Sequence, residues 1–207
     1  MAQYLQIHPD NPQQRLIEQA ADIVRRGGIM AYPTDSAYAL GCHLGDKTAL
    51  DRIRHMRQLD KHHNFTLMCR DLSELATYAR VDNQVFRLLK NHTPGAFTFI
   101  LPGTSEVPRR LMHPKRKTIG LRVPDNRITL ALLEALGEPL MSSSLLLPGQ
   151  TLPLSDPEDI RDALDNQLEL IIDGGNCGLE PTTVVDLTGP LPQVTRQGKG
   201  DASPFLS

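Results

Sequence analysis

No stretch of the 207-residue sequence approaches the roughly 18 consecutive apolar residues of a membrane span. Its opening, "MAQYLQIHPDNPQQ", lacks the basic start and apolar run of a secretory leader, so no signal peptide is expected. The three cysteines, Cys42, Cys69 and Cys177, are odd in number and scattered, which leaves neither a disulfide framework nor a C-x-x-C metal knuckle. A cytoplasmic location is the expectation, since thiols stay reduced there. Charge of neither sign dominates: the formal net charge is −2, so attraction to nucleic acid has to come from a local patch. There is no G-x-x-x-x-G-K-[ST] loop, no G-x-G-x-x-G fingerprint and no G-x-S-x-G elbow. A nucleotide site therefore needs another design, and covalent catalysis finds little support. His62 and His63 are adjacent with no third ligand in view, so no metal site is expected.

The composition is that of a globular protein, 40% apolar and 22% charged, and long enough to bury a core without staples. "DNPQQRLIEQAADIVRRGG" predicts a helix capped by Asn11, with Pro12 in its first turn and Gly27-Gly28 ending it. "IMAYP" reads as a buried strand. A helix over Lys47 to about Arg57 is capped by Asp46, and "FTLMC" follows as a strand. "DLSELATYA" and "DNQVFRLLKNH" read as helices, "FTFIL" and "TIGLRV" as strands, "RITLALLEAL" as a helix and "PLMSSS" as a strand. Ser155 and Glu158 stand at capping-box spacing ahead of "EDIRDAL", and "LELIID", "TTVVDL" and "QVTR" close the series as strands. The segment from Pro148 to Pro157 reads as a mobile loop. Several neighbouring strands are too close in sequence for helical crossovers, which predicts a mixed sheet in one α/β domain.

Four polar stretches carry the candidate chemistry. In "YPTDSAYALG", residues 32–41, Pro33 ends a strand and Thr34, Asp35 and Ser36 present polar groups at its tip, where ligands of open α/β sheets gather. A turn capped by its own side chains explains the same residues. "RIRHMRQLDKHHN", residues 52–64, gathers Arg54, Arg57, Lys61, His62 and His63, either to clamp phosphates or to answer a helix dipole. "PRRLMHPKRKTIGLR", residues 108–122, is the most basic stretch; it suits a nucleic-acid backbone or a solvated face, and no aromatic lies among the cations to stack on bases. "MSSSLLLPG", residues 141–149, is either a loop that grips an anion or a buried strand that begins with serines.

Together these pieces resemble the YrdC-like domain family. "YPTDSAYALG" resembles its "YPTDT-x-YGLG", "TPGAFTFIL" its "PGP-x-T-x-IL", "IGLRVPDN" its "vgvRvPdH", "PTTVVDL" its "STVvDl", and "TRQGKG" its "lReGa". Order and spacing agree from about Arg15 to Gly200. The implied domain spans 14–200, with 1–13 as an amino-terminal extension and 201–207 as a tail. The resemblance implies a single-domain twisted mixed sheet with flanking helices around a large basic concave cavity. Its catalytic branch makes threonylcarbamoyl-AMP from threonine, bicarbonate and ATP, releasing pyrophosphate, as the first step toward a threonylcarbamoyl adenosine in tRNA. The fold is also associated with binding of tRNA and double-stranded RNA.

Carried over by position, Thr34, Ser36, Arg122 and Thr182 would hold threonine and bicarbonate. Arg57, Lys61, Ser142, Ser144 and Arg196 would hold the ATP- or AMP-type ligand, with Arg57 and Ser144 catalytic. Arg109, Arg110, Lys115, Arg116 and Lys117 are the RNA-contact candidates. No tightly bound cofactor is implied; Mg2+ accompanies ATP on its phosphates. Two departures stand out. The family's Lys-x-Arg aligns with Arg57 and Leu59, and its Ser-x-Asn aligns with Ser144 and Leu146. Losing one preorganised donor to a developing charge costs about 3 to 4 kcal/mol of transition-state stabilisation. Three functions therefore stay open: a synthase with substitute cations, a nucleotide- and RNA-binding member with little synthase activity, and a protein that acts on, for example hydrolyses, a related adenylate or acyl phosphate.

Overall fold

The computed structural model describes residues 1–60 and 62–206. The chain opens with strand β1 (Gln3–Gln6), helix α1 (Gln14–Arg25) and the antiparallel pair β2 (Met30–Tyr32) and β3 (Ala39–His43). Helix α2 (Lys47–Arg57), β4 (Thr66–Met68), α3 (Leu72–Tyr78), α4 (Asn83–His92) and β5 (Phe97–Pro102) follow. Then come β6 (Thr118–Arg122), α5 (Arg127–Leu136), β7 (Leu140–Ser144), α6 (Pro157–Leu164), β8 (Leu170–Asp173), β9 (Thr183–Asp186) and β10 (Gln193–Arg196). All ten strands join one sheet in the order β1-β8-β2-β3-β7-β4-β6-β5-β9-β10. Parallel and antiparallel neighbours mix throughout, as the short strand connections require.

The strands alternate their side chains between two differently covered faces. On one face, Ala31, Leu40, Leu67, Phe99, Leu121, Met141, Ile171 and Val185 pack with buried residues of α2, α3, α4 and α6. On the other, Met30, Tyr32, Met68, Leu140, Leu170 and Ile172 pack with α1 and α5 alone. That second core stops at β4. Along β6, β5 and β9 no residue of the same face joins it, so this part of the sheet is left for a cavity.

Most local signals act as read. Asp46 caps α2 by accepting from the Ala49 amide at 2.9 Å, and Gly27 and Gly137 end their helices at positive φ. Three readings are corrected. Helix α1 begins at Gln14, not after Asn11, because His8 Nδ1 accepts the amides of Asp10 and Asn11 and holds them in a turn. Asp156, not Ser155, caps α6, accepting from the Glu158 amide at 2.9 Å, while the Ser155 carbonyl accepts from Cys177. Residues 39–43, read only as the tail of a polar turn, form the central strand β3. The first thirteen residues contribute edge strand β1, and Phe205 of the carboxyl-terminal segment is buried against Phe97 and Phe99.

Leu132 of α5 is wholly buried in the second core. Leu132→Ala is expected to lower the unfolding free energy by about 2 to 5 kcal/mol in urea denaturation. A change within ~0.5 kcal/mol, the range of surface substitutions, would show that α5 does not seal this face.

Candidate functional site

The uncovered part of the sheet floors a cavity of about 540 Å³. Small residues meet there across strands: Ser142 of β7 pairs with Thr66 of β4, and Thr66 with Gly120 of β6. A Cβ on Gly120 would stand 3.1 Å from Thr66 Oγ1 and 3.2 Å from Thr98 Cγ2, so glycine keeps the floor low. The Tyr32 and Ser142 hydroxyls bond at 2.6 Å at the edge of the covered face. Burial pushes the Tyr32 hydroxyl up to about 12, so it remains a neutral partner.

One end of the cavity is organised by Arg122, the last residue of β6, which is only 7% exposed. Its Nη2 donates to Asp35, to Ser36 Oγ at 3.0 Å and to Thr34 Oγ1 at 3.2 Å. Asp35 turns its other oxygen to the Asp125 amide at 2.8 Å, and its carbonyl accepts from Lys199. Arg122 Nε is buried with no partner among the described residues. Beside it, Thr182 and Thr98 share a 2.7 Å hydroxyl bond, and Arg196 donates to the Thr182 carbonyl at 3.0 Å and hydroxyl at 3.2 Å. A register shift in β10 between Val194 and Arg196 accompanies that reach. Burial and the neighbouring Arg122 lower the pKa of Arg196.

The opposite wall answers the question posed by the serines. Ser142 and Ser143 are buried within strand β7 and Ser144 is its exposed last residue, so the strand reading holds as far as Ser144. The chain then turns: Leu145 is fully buried and Leu146 lines the cavity. Arg57, at the end of α2, donates through Nε to the Leu146 carbonyl at 2.9 Å and through Nη1 to Ser143 Oγ. Burial lowers its pKa. Leu59 packs against the first core and does not line the cavity.

Ser36, Arg57, Arg122, Ser142, Ser144, Thr182 and Arg196 all border this one cavity, and Thr34 lies behind Ser36 at 3.1 Å. Lys61 lies outside the described residues. Arg109, Arg110, Lys115, Arg116 and Lys117 are exposed on the β5–β6 connection, outside the cavity lining; Arg110 donates to the Gly45 carbonyl at 2.8 Å. Tyr38, Asn64, Thr98, Thr118, Leu152 and Leu179 also line the cavity without having been singled out. For Thr98 and Thr118 the signal was available in the alternation of β5 and β6. Among the described residues the lining contains three arginines and one histidine and no carboxylate. Among the described residues no group of three or more His, Cys, Asp or Glu could hold a metal ion.

The geometry defines an α/β protein with a cavity, lined by three arginines among the described residues, on the half-covered face of a mixed sheet. The chain belongs to the Sua5/YciO/YrdC family, whose profile, described as "Telomere recombination", matches residues 22–198. It is 64% identical to YciO of Escherichia coli (strain K12) over 206 residues, the full length of both, and the crystal structure of E. coli YciO superposes with a TM-score of 0.96. It is 30% identical to the threonylcarbamoyl-AMP synthase of Pyrococcus abyssi over 185 residues, covering 88% of this chain and 54% of that protein. A structure of P. abyssi Sua5 complexed with L-threonine matches at 27% identity with a TM-score of 0.87, over 95% of this chain and 58% of that one.

Arg122 and Asp35 form a buried pair whose two members are nearly solvent-free. Asp35→Ala, which leaves the guanidinium uncompensated, is expected to cost about 3 to 5 kcal/mol of stability. Replacing both with apolar residues should cost less than that single change in the same denaturation assay.

Proposed function

We propose that the cavity binds acyl adenylates of the threonylcarbamoyl type and their precursors, and that the protein forms threonylcarbamoyl-AMP from threonine, bicarbonate and ATP only slowly. The observation that carries this reading is the buried, unpartnered Nε of Arg122, on a guanidinium whose Nη2 already donates to three side-chain oxygens at one end of the cavity. A buried donor without an acceptor is costly, and a ligand carboxylate supplies one. In this reading the threonine carboxylate meets Arg122, and its hydroxyl meets Ser36 and Thr182. Bicarbonate is held against the amine, where proximity replaces a bimolecular encounter. The phosphates lie toward Arg57, Ser142 and Ser144 at the opposite wall, while Arg196 stays beside Thr182. ATP brings its magnesium on its own phosphate oxygens, since among the described residues no carboxylate lines the cavity to ligate the ion.

Slowness follows from the phosphate wall. Two donors of Arg57 are already engaged with Leu146 and Ser143, Leu146 offers the cavity an apolar side chain, and Leu59 faces the core. Each missing preorganised donor removes about a hundred- to thousandfold in rate. With ATP, magnesium, threonine and bicarbonate, the purified protein should make threonylcarbamoyl-AMP, read by mass spectrometry, at least ~100-fold more slowly than a family synthase run beside it. The double change Leu59→Arg and Leu146→Asn should raise that rate by roughly ten- to thousandfold, without strict additivity. A wild type as fast as the control overturns the argument from missing donors; a restored variant that yields neither threonylcarbamoyl-AMP nor threonine-dependent pyrophosphate overturns the synthase reading.

The exposed basic connection is the site we propose for tRNA or double-stranded RNA. Neutralising Arg109, Arg110, Lys115, Arg116 and Lys117 together should weaken RNA binding and flatten its dependence on salt by several units of log–log slope, at roughly 0.7 to 0.9 per phosphate contact. Affinity unchanged by the five substitutions would place RNA elsewhere.

A further inference from the structure

Four of the seven histidines have a ring nitrogen engaged within the protein. His8 accepts the Asp10 and Asn11 amides, His43 the Gly45 amide and His113 those of Lys115 and Arg116, while His92 bonds the Leu88 carbonyl. His55 and His62 are exposed. His63 differs: it is half-buried, it lines the cavity, and neither ring nitrogen has a hydrogen-bond partner among the described residues.

Its ring is nevertheless held in place. It stands edge-on to Phe65 at 5.3 Å between centroids, and Phe65 is itself buried beneath the guanidinium of Arg54 at 5.2 Å. The other titratable groups of the lining cannot take a proton near neutrality. Arg57, Arg122 and Arg196 are cations, and burial drives the Tyr38 hydroxyl far above its ordinary value. Among the described residues the lining thus carries a single proton acceptor near neutrality, close to Arg57.

We propose that His63 is the general base of this cavity and that the reaction it serves is hydrolysis of a threonylcarbamoyl-AMP-type acyl adenylate. The proposal rests on the reading that such an adenylate binds here. A His63 ring nitrogen takes one proton from a water molecule as the water oxygen bonds to the phosphorus. The bond from phosphorus to the carbamate oxygen breaks, the carbamate leaves with the electron pair, and AMP retains the water oxygen. The proton then passes from the imidazolium to solvent. Arg57 faces the negative charge that grows on the phosphoryl oxygens. Leu146 disfavours pyrophosphate at this wall but places no comparable demand on water.

Burial lowers the pKa of His63, and Arg57 and Arg54 lower it further while Asp60 opposes them, so the imidazole is neutral at pH 7. A base must be deprotonated to act. The hydrolytic rate should therefore be flat around neutrality and fall as pH drops through a value below the ordinary 6.5 or so.

The test uses threonylcarbamoyl-AMP made by a family synthase, incubated with the full chain in 18O-labelled water. The expected result is AMP carrying one 18O on its phosphate. His63→Asn and His63→Ala should slow AMP release by about a hundred- to ten-thousandfold and abolish the acidic limb of the pH profile. Added imidazole should restore part of the rate to His63→Ala, which a merely structural role would not allow. A non-hydrolysable sulfamoyl analogue of the adenylate, titrated into wild type and both variants, separates binding from chemistry. Binding of the analogue without hydrolysis by wild type, or hydrolysis by His63→Asn at the wild-type rate, overturns the role of His63. Label in the carbamate instead of AMP overturns attack at phosphorus. Failure of wild type to bind the analogue overturns the adenylate reading itself, and the hydrolytic one with it.

Discussion

A guanidinium held almost entirely out of water must be satisfied by what surrounds it, and Arg122 imposes that demand on four separate parts of the chain. Asp35 supplies the countercharge, but only because the β2–β3 connection turns sharply after Pro33 and brings Thr34, Asp35 and Ser36 to one point. The same carboxylate accepts the Asp125 amide ahead of α5, and Lys199 closes on the Asp35 carbonyl from beyond β10. The segment around Gly178 passes so close that a Cβ there would stand 2.7 Å from the Ser36 carbonyl. One buried charge thus ties the β2–β3 turn to the last segments of the fold, and the polar end of the cavity is a by-product of that tie.

The cavity exists because two helices cover less sheet than four. On the face served by α1 and α5 the buried apolar core ends at Met68, and beyond it the positions facing the cavity are Thr66, Gly120, Thr98, Thr182 and Arg122 together with the half-buried Ile100 and Val184. A wholly apolar face there would have needed a third helix to keep it from water. Hydroxyls and a glycine need none: they remain satisfied by one another and by solvent or ligand, as the Thr98–Thr182 bond illustrates. The opposite face continues unbroken through Phe99, Leu121 and Val185, which lets one edge of the sheet open without loosening the other.

Elements with strong local codes were legible in the sequence. Asp46, Gly137 and Pro157 mark helix ends where the chain uses them, and the short strand spacings required the antiparallel pairs. Central strand β3 was not, because "ALGCH" lies buried nearly throughout and so lacks the alternation that marks a half-buried strand. The cap of α1 was misplaced because a histidine eight residues in, not the asparagine at the right spacing, fixes the turn. At the site, Ser36, Arg122, Thr182 and Arg196 were identifiable by resemblance of their motifs, and they do converge. What no motif revealed was engagement. Spacing can bring Arg57 to the cavity wall but cannot say that its Nε and Nη1 hold the turn after β7.

That engagement decides the character of the cavity wall at β7. An arginine that anchors a backbone carbonyl and a serine hydroxyl is already desolvated and oriented, and burial weakens its hold on its proton. Turning both donors to a triphosphate would release the Leu146 carbonyl and Ser143, each of which would then need another partner. The remaining Nη2 can still meet one phosphoryl oxygen while the staple stays intact. A single charge-assisted contact suits an adenylate monophosphate better than a departing pyrophosphate, whose charge grows as it leaves. Leu146 points the same way, because an apolar side chain beside that carbonyl loses little when the neighbouring ligand carries less charge. On the proposed function, the two leucines and the tied arginine are one adaptation: Arg122 is kept for a ligand carboxylate, and phosphate stabilisation at the other wall is traded for a rigid β7 turn.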